Sequence, residues 1–506
     1  MPMDMQLQPV VLEGYREVLN TAVTQEETLE SIVPDTYPDI ARIVSAVGRV
    51  YVRDCEPSEG TVRLTGTIQT TVFYIPEGEA LPKTLEVAIP FQCIKDHPTL
   101  RSSSMVQASA QVTFADARAI NPRKVVARAE IVVELAAYEL CSRELTCDVQ
   151  GGPEGSLEKR LLSARDIVVS GVVEKPFLFS DLIRMPPSKG EIQQLLLCRP
   201  QLDVMEGKLI GRKLVVKGSV KLYLVYLCDD QVTSTCFELP FSQVLDVEQE
   251  AGDQGSQVDV RLKSVDCRLR DGELEVTVEA CAQAVVRVER EVTLLADVYS
   301  VSCRLDAQRA PCTICTLAET GGTSQSVRHF YQTTVEAKQV LDSFAVVKDV
   351  TQRNGEHGSE LAAQIQVHML YLDEEGALRG ATDSVMVTCP YQVPDGCERK
   401  VHGRAVGDVS AAAVSGGIDL RFEVEFRWLT IKEEELLCVS SVASTGAYDG
   451  PCSRPSLVIR RVDAGEQLWD VAKACGATIQ DICTANELTC ETVPQGMVLL
   501  IPTKRV

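Results

Sequence analysis

Histidine is scarce in this chain: five residues in 506, at positions 97, 329, 357, 368 and 402. None forms a HExxH or an i, i+4 pair, so no imidazole-based metal centre is expected. No GxSxG elbow marks a serine hydrolase. No GxxxxGK[ST] loop marks a P-loop ATPase, and no GxGxxG follows a strand. Basic residues fall short of acidic ones, 50 against 72, which leaves a formal charge of −22. That balance argues against nucleic acid or an anionic bilayer as the main partner, because both demand a basic surface. Long apolar runs are missing too. Nowhere do eighteen apolar residues run together, and IVVELAAYEL at 131–140 is broken by Glu134 and Glu139, so no membrane-spanning helix is expected. The opening MPMDMQLQPVVLEGYREV has an early acid and no basic stretch, and no signal peptide is expected. No catalytic residue, metal or cofactor is expected.

Cysteine, by contrast, is abundant and odd in number, with nineteen residues. They are scattered, and Cys236, Cys267, Cys281, Cys389 and Cys438 sit among strand-forming apolar residues. This reads as buried thiols in a reducing compartment. Cys312 and Cys315 form a lone CTIC, and a zinc site would need a second Cys or His pair.

A chain of this length holds about three or four domains at ~150 residues each. Internal repeats supply most of them. Gly66-Thr-Ile-Gln-Thr-Thr-Val-Phe-Tyr74 matches Gly218-Ser-Val-Lys-Leu-Tyr-Leu-Val-Tyr226 and Ala363-Gln-Ile-Gln-Val-His-Met-Leu-Tyr371. A proline-aromatic step recurs at Pro90-Phe91, Pro240-Phe241 and Pro390-Tyr391, 150 residues apart both times. A late alternating strand recurs at 125–133, 274–280 and 418–428. The period of two marks half-buried strands. The fold expected is therefore mainly β, with three tandem antiparallel sheet or sandwich repeats at 1–147, 163–302 and 325–443. The Gly-rich stretches 148–162 and 444–456 read as linkers, the latter flexible, and 303–325 as a third connector. Near the start, VPDTYPDI (33–40) carries Pro34 and Pro38; Ile40, Ile43, Val44 and Val47 then fit a short helical stripe. Pro186 and Ile192 repeat the six-residue separation of Pro34 and Ile40. Asn121-Pro122 starts a turn, which puts Arg123 and Lys124 at a strand's exposed mouth.

The last fifty residues read differently. Leu457, Val458, Ile459 and Val462 suggest a strand, and Gly465 a turn. Leu468, Val471, Ala472 and Cys475 form one apolar helical stripe that Gly476 stops. Thr478 with Asp481 opens a second helix, and Met497 to Ile501 is a second strand. The result is a small α+β (βααβ) module at 456–504.

This module resembles a LysM domain at Gly465, Leu468, Trp469, Asp470, Ala472, Gly476, Ile482, Asn486, Leu488, Pro494, Gly496 and Ile501-Pro502. The P-D-x-x-P-D-I phrase and the N-P-R-K turn (121–124) of repeat one resemble the SPOCS domain of spore coat assembly proteins. Repeats two and three keep the strands and lose both phrases. Together the arrangement is similar to the SipL family. That resemblance implies a non-enzymatic, cytoplasmic protein of the sporulating mother cell. Its LysM module would dock a coat basement-layer morphogenetic ATPase at the forespore surface. The alternative it carries is binding of N-acetylglucosamine polymers at the cortex or wall. LysM grooves lie between the loop after the first strand and the loop before the second. The corresponding ligand- or partner-binding candidates are Asp463, Ala464, Gly465, Glu466, Gln467, Leu468, Trp469, Asn486, Leu488, Pro494 and Gln495. Arg460 stands where the family usually has Tyr, and Gln467 where it has Thr or Ser. Trp469 fits a core position better than a stacking platform. Asp470, Lys473 and Gln480 are candidates for the rim of a protein interface.

Overall fold

Valine, isoleucine and aromatic residues alternate with polar ones through most of the chain, and such side chains fit a pleated, half-buried surface. The computed structural model describes residues 5–151, 155–247, 256–270, 272–355, 358–391, 397–447, 455–488 and 493–503. Repeat one contains β1 (Met5–Ile32), β2 (Ile40–Ser58), β3 (Thr61–Pro76), β4 (Lys83–Asp96), β5 (Met105–Asn121) and β6 (Lys124–Gly151). Repeat two contains β7 (Leu157–Arg184), β8 (Gln194–Ile210), β9 (Lys213–Cys228), β10 (Gln231–Asp246), β11 (Gln257–Arg270) and β12 (Glu273–Ser300). Repeat three contains β13 (Cys303–Gln332), β14 (Ala337–Gly355), β15 (Gly358–Asp373), β16 (Leu378–Pro390), β17 (Cys397–Val414) and β18 (Gly417–Ala447). The fold is mainly β.

All three repeats share one plan. Strands two, three and four form one antiparallel sheet; the first, sixth and fifth form the other. The two sheets enclose a core in each repeat, as a sandwich does. The repeated sequence markers have structural reasons. Tyr74, Tyr226 and Tyr371 are buried at the end of each middle strand. Pro90, Pro240 and Pro390 lie on edge strands, where a missing N–H is tolerated. Phe91 and Phe241 lie directly opposite Gly66 and Gly218. A Cβ at Gly66 would come within 2.5 Å of the Phe91 ring, and one at Gly218 within 2.7 Å of Phe241. Glycine there lets the ring lie flat on the neighbouring strand.

The first and sixth strands are twice as long as a sandwich needs. Beyond the sandwich, their far halves from all three repeats pack together as a stalk. Its apolar filling is Leu12, Leu145, Val292, Leu294, Ile314 and Cys438, followed by Val149, Leu295, Val298 and Val439. A polar knot ties the three repeats. Arg143 of β6 pairs with the buried Asp166 of β7 and donates to Thr313 O of β13 at 2.8 Å, while Asp166 accepts Cys315 N at 2.9 Å. The middle sheets meet around a second junction of Val47, Phe73, Leu196, Val225, Leu341 and Leu370.

Three expectations are corrected here. Residues 303–325 are no connector but the greater part of β13. The Gly321-Gly322 pair that suggested a linker instead makes room for Trp428, whose ring a Cβ at Gly321 would meet at 2.7 Å. Residues 148–151 and 157–162 continue β6 and β7, because Val149 and Leu157 fill the stalk. Residues 40–47 form β2 and not a helix. Register shifts between Ile40/Arg42 and Ile43/Ser45 flip the inward phase, which gives Ile40, Ile43, Val44 and Val47 their helix-like spacing. For the stretch expected as a flexible tether, 448–454 lies outside the described residues.

The two phrases of repeat one touch each other. Arg123 donates to the carbonyls of Val33 and Tyr37 at 2.9 and 2.8 Å, and to Asp35 and Asp39 at 2.9 and 3.1 Å. Its guanidinium fork therefore closes the P-D-x-x-P-D turn. The turn is exposed as expected, but the arginine is already engaged.

Candidate functional site

The C-terminal module contains β19 (Leu457–Arg461), α1 (Leu468–Cys475), α2 (Ile479–Ala485) and β20 (Val498–Pro502), with β19 and β20 antiparallel. Local chemistry sets each boundary. Asp470 accepts Gln467 N at 3.1 Å, so the first turn of α1 is capped by its own third residue. Gly476 ends α1 in the left-handed conformation, with φ of 61°. Thr478 Oγ1 accepts Asp481 N at 3.0 Å and starts α2. Leu468, Val471, Ala472, Ile482, Leu499 and Ile501 fill the module's core.

The module is seated on the stalk. Tyr299 and Val301, at the end of β12, belong to the same apolar cluster as Trp469. The Trp469 and Tyr299 rings meet edge to face with centroids 5.0 Å apart. Trp469 Nε1 donates to Asp297 Oδ2 at 2.9 Å, and Lys473 Nζ to both Asp297 oxygens at 2.7 Å. Tyr299 OH donates to Ala477 O at 2.8 Å. Burial alone would raise the Asp297 carboxyl, but the hydrogen bonds from Lys473 and Trp469 outweigh it and hold it below the usual carboxylate range.

The candidate residues divide into four groups. Asp463, Ala464, Gly465, Gln467, Pro494 and Gln495 are exposed at the two loops. Glu466 is folded inward: its carboxylate pairs with Arg460 at 2.6 Å and accepts Asp463 N at 3.1 Å. Asn486 is spent on the backbone of β20, exchanging bonds with Leu500 N and O at 2.8 and 2.6 Å, and Leu488 packs against the core. Leu468 and Trp469 are 1% and 7% exposed and offer no surface to a ligand. Part of the second loop, 489–492, lies outside the described residues.

Sequence reasoning missed two features. The first is Asp297, the stalk partner of Trp469 and Lys473. The second is the outward face of β19–β20, where Leu457, Ile459, Val498 and Leu500 are all exposed. The alternation L-V-I-R-R and V-L-L-I-P was the available signal, since both phases of each strand are apolar.

The remaining chemistry is structural. Cys312 and Cys315 lie three apart on a strand and so project from opposite faces, which rules out a shared chelate. The seventeen described cysteines form no disulfide with one another. Among the described residues no group of three or more His, Cys, Asp and Glu is placed to hold a metal, and no helix is long and apolar enough to cross a membrane.

Comparison with known families fits this architecture. Residues 39–120 and 191–270 match the model of the SipL SPOCS domain, and residues 461–502 match that of the LysM domain. The chain carries SipL-type SPOCS domains and a C-terminal LysM domain. The SPOCS matches span β2–β5 and β8–β11, so the long first and sixth strands lie outside them. Repeat three lies outside these two ranges and keeps the six-strand plan. Both families are non-catalytic, and LysM is a glycan-binding type of domain. No curated protein and no solved structure matches the chain.

Proposed function

We propose that this is a non-enzymatic scaffold of spore coat assembly whose LysM domain docks a protein, the coat's basement-layer morphogenetic ATPase, at the forespore surface in the mother cell. Three SPOCS-like repeats, the third degenerate, form the body. The observation that carries the reading is the setting of Trp469. The one tryptophan of the module, the residue best suited to stack on a sugar, faces Asp297 and Tyr299. What the domain offers outward instead is the apolar quartet Leu457, Ile459, Val498 and Leu500, bordered by Arg461 and the loop residues Asp463 and Gln467. An apolar centre with a polar rim suits a protein partner.

The rival reading, a domain that binds N-acetylglucosamine polymers, draws on the exposed backbone of residues 463–465 and 494–495. One experiment separates the two. The full chain and its Ile459→Asp/Leu500→Asp variant are tested for capture of the purified coat ATPase and for co-sedimentation with insoluble peptidoglycan. Capture lost in the variant, without co-sedimentation of either protein, supports docking. Co-sedimentation that chitotetraose competes, with no ATPase captured, overturns it.

A further inference from the structure

β8 and β11 belong to different sheets of repeat two, and no ladder of hydrogen bonds ties them. Each brings a cysteine to the same place. Cys198 of β8 is buried in the apolar core of the sandwich, and Cys267 of β11 packs against that core, partly exposed. The Cys267 thiol donates a hydrogen bond to the Cys198 sulfur. Both residues also line a cleft of about 890 Å³ between β2–β4 of repeat one and β8 and β11 of repeat two, so a small molecule reaches them from solvent.

A second sulfur pair shows what sets this one apart. Cys312 and Cys438 meet in the stalk. They lie on paired strands, β13 and β18, where Cys312 stands opposite Leu436 and Cys438 opposite Ala310. The ladder holds such diagonal neighbours about 7 Å apart, whereas a disulfide needs Cβ atoms about 4 Å apart. The stalk's apolar filling also surrounds them. Cys198 and Cys267 face neither obstacle. The two sheets of a sandwich can shift against each other without breaking a ladder bond, and a bridge from sheet to sheet is a spacing that immunoglobulin sandwiches use.

The position of Cys198 gives such a bond a consequence. Its carbonyl accepts Arg49 Nη1 of repeat one. Leu196 and Leu197, just before it, fill the junction of the middle sheets, and Arg199, just after it, pairs with Asp342 of repeat three. This segment of β8 therefore touches both other repeats.

We propose that Cys198 and Cys267 are an oxidisable dithiol that staples this segment of β8 to β11 when a diffusible low-molecular-weight disulfide enters the cleft. The Cys267 sulfur, as thiolate, attacks one sulfur of that disulfide. A mixed disulfide forms, the small S–S bond breaks and one small thiolate leaves. Cys198, as thiolate, then attacks the Cys267 sulfur; the Cys198–Cys267 bond forms and the second small thiolate leaves. The two protons given up by the cysteines end on two small thiols, so the protein is oxidised by two electrons and the small disulfide reduced by two. The hydrogen bond to Cys198 and burial hold the Cys267 thiol protonated, against the pull of Arg49, so the exchange is slow at neutral pH. Where small thiols dominate, the pair stays reduced.

The test incubates the full chain with millimolar oxidised glutathione, alkylates the remaining thiols and digests the protein for mass spectrometry. A linked peptide pair carrying Cys198 and Cys267 is expected from the folded protein, lost on adding dithiothreitol, with Cys312 and Cys438 alkylated. Hydrogen exchange at 194–199 and 265–269 should slow at least about fivefold on oxidation and recover on reduction. In Cys198→Ser, glutathione should remain on Cys267, because no second thiol displaces it. A lasting glutathione adduct on Cys267 of the native chain overturns the proposal, as does a bond from either residue to a third cysteine. So does a Cys198–Cys267 bond that forms only in urea, or one that leaves exchange at these segments unchanged. Failure of both thiols to react in the folded chain overturns it as well. These readings are made on the native chain and hold even where Cys198→Ser fails to fold. None of them bears on what the LysM domain binds.

Discussion

Arg199 and Asp342 join repeats two and three through a bidentate ion pair, with Nε to Oδ2 at 2.8 Å and Nη2 to Oδ1 at 2.7 Å. The pair is almost wholly buried, with side chains 6% and 2% exposed. The guanidinium is also sandwiched, 4.0 Å from the Tyr223 ring centre and 4.6 Å from that of Phe344. Removing one partner leaves a buried charge alone. Arg199→Ala or Asp342→Ala should each cost about 3–5 kcal/mol. Arg199→Met with Asp342→Leu, which removes both charges and keeps the volume, should cost far less than either. Urea unfolding of the three variants tests this; a double variant as unstable as the singles would show that the packing, and not the pairing, sets the cost.

His368 bridges repeats three and one. A carbonyl only accepts, so Nε2 carries the proton toward Thr113 O, and Nδ1 accepts Thr382 Oγ1 at 3.2 Å. The ring also stacks on Phe344, with centroids 4.6 Å apart. Burial pushes its pKa down to about 4, against the opposing pull of the Thr113 carbonyl; nearby Arg199 lowers it and Asp342 raises it. The unfolded chain therefore binds this proton first. Stability should be unaffected by this group above pH ~6.5 and fall as pH drops toward ~4, by an amount on the order of 3 kcal/mol in total. His368→Gln, which keeps a donor for Thr113, should flatten that part of the profile. Unfolding midpoints at pH 7 and pH 4.5 for both proteins give the comparison.

The strand skeleton was legible because its markers are local. A proline-aromatic step and a tyrosine closing a middle strand recur at nearly fixed intervals, and each can be seen in a window of ten residues. The LysM helices were legible for the same reason, through the stops and starts at Gly476 and Thr478. The bulges of β2 were not, since an inserted residue turns a period of two into spacings of three and imitates a helix. The stalk was hidden because its order comes from contacts among three repeats. The glycines 321 and 322 look like linker composition until Trp428 is set against them. The seating of the module was equally hidden, as Asp297 and Trp469 are 172 residues apart.

The glycine–ring pairs allow a sharp test of close packing. At Gly66 a methyl group would meet Tyr51 O at 2.4 Å as well as Phe91; at Gly218 it would meet Asp203 O at 2.3 Å. Backbone oxygens on a paired strand cannot move aside cheaply. Gly66→Ala and Gly218→Ala should each destabilise by about 1–3 kcal/mol. Gly171, also on a strand, has nothing within 4 Å of such a methyl. Gly171→Ala should be neutral or stabilising by up to about 1 kcal/mol, through the reduced freedom of the unfolded chain. Thermal unfolding of the three variants checks the order; equal effects at all three sites would contradict the packing account.

The seating of the LysM domain on the stalk rests on one carboxylate. Asp297 serves Trp469 and Lys473 together, so its loss strands an indole N–H that water reaches poorly. Asp297→Ala should cost about 1–3 kcal/mol at this contact. Asp297→Asn keeps an acceptor for Trp469 and loses the charge for Lys473, which is partly exposed, so its cost should be smaller. The effect should be local: faster hydrogen exchange at 468–477 with no change at 61–76, in the core of repeat one. Because the fold holds this carboxyl below its usual range, its contribution is complete above the ordinary carboxylate pKa of ~4 and is lost as pH falls through the lowered folded value. Exchange at 468–477 should therefore quicken in acid for the native protein more than for Asp297→Ala. If both respond alike, the domain is held by the Tyr299 and Val301 contacts, and the charge adds nothing.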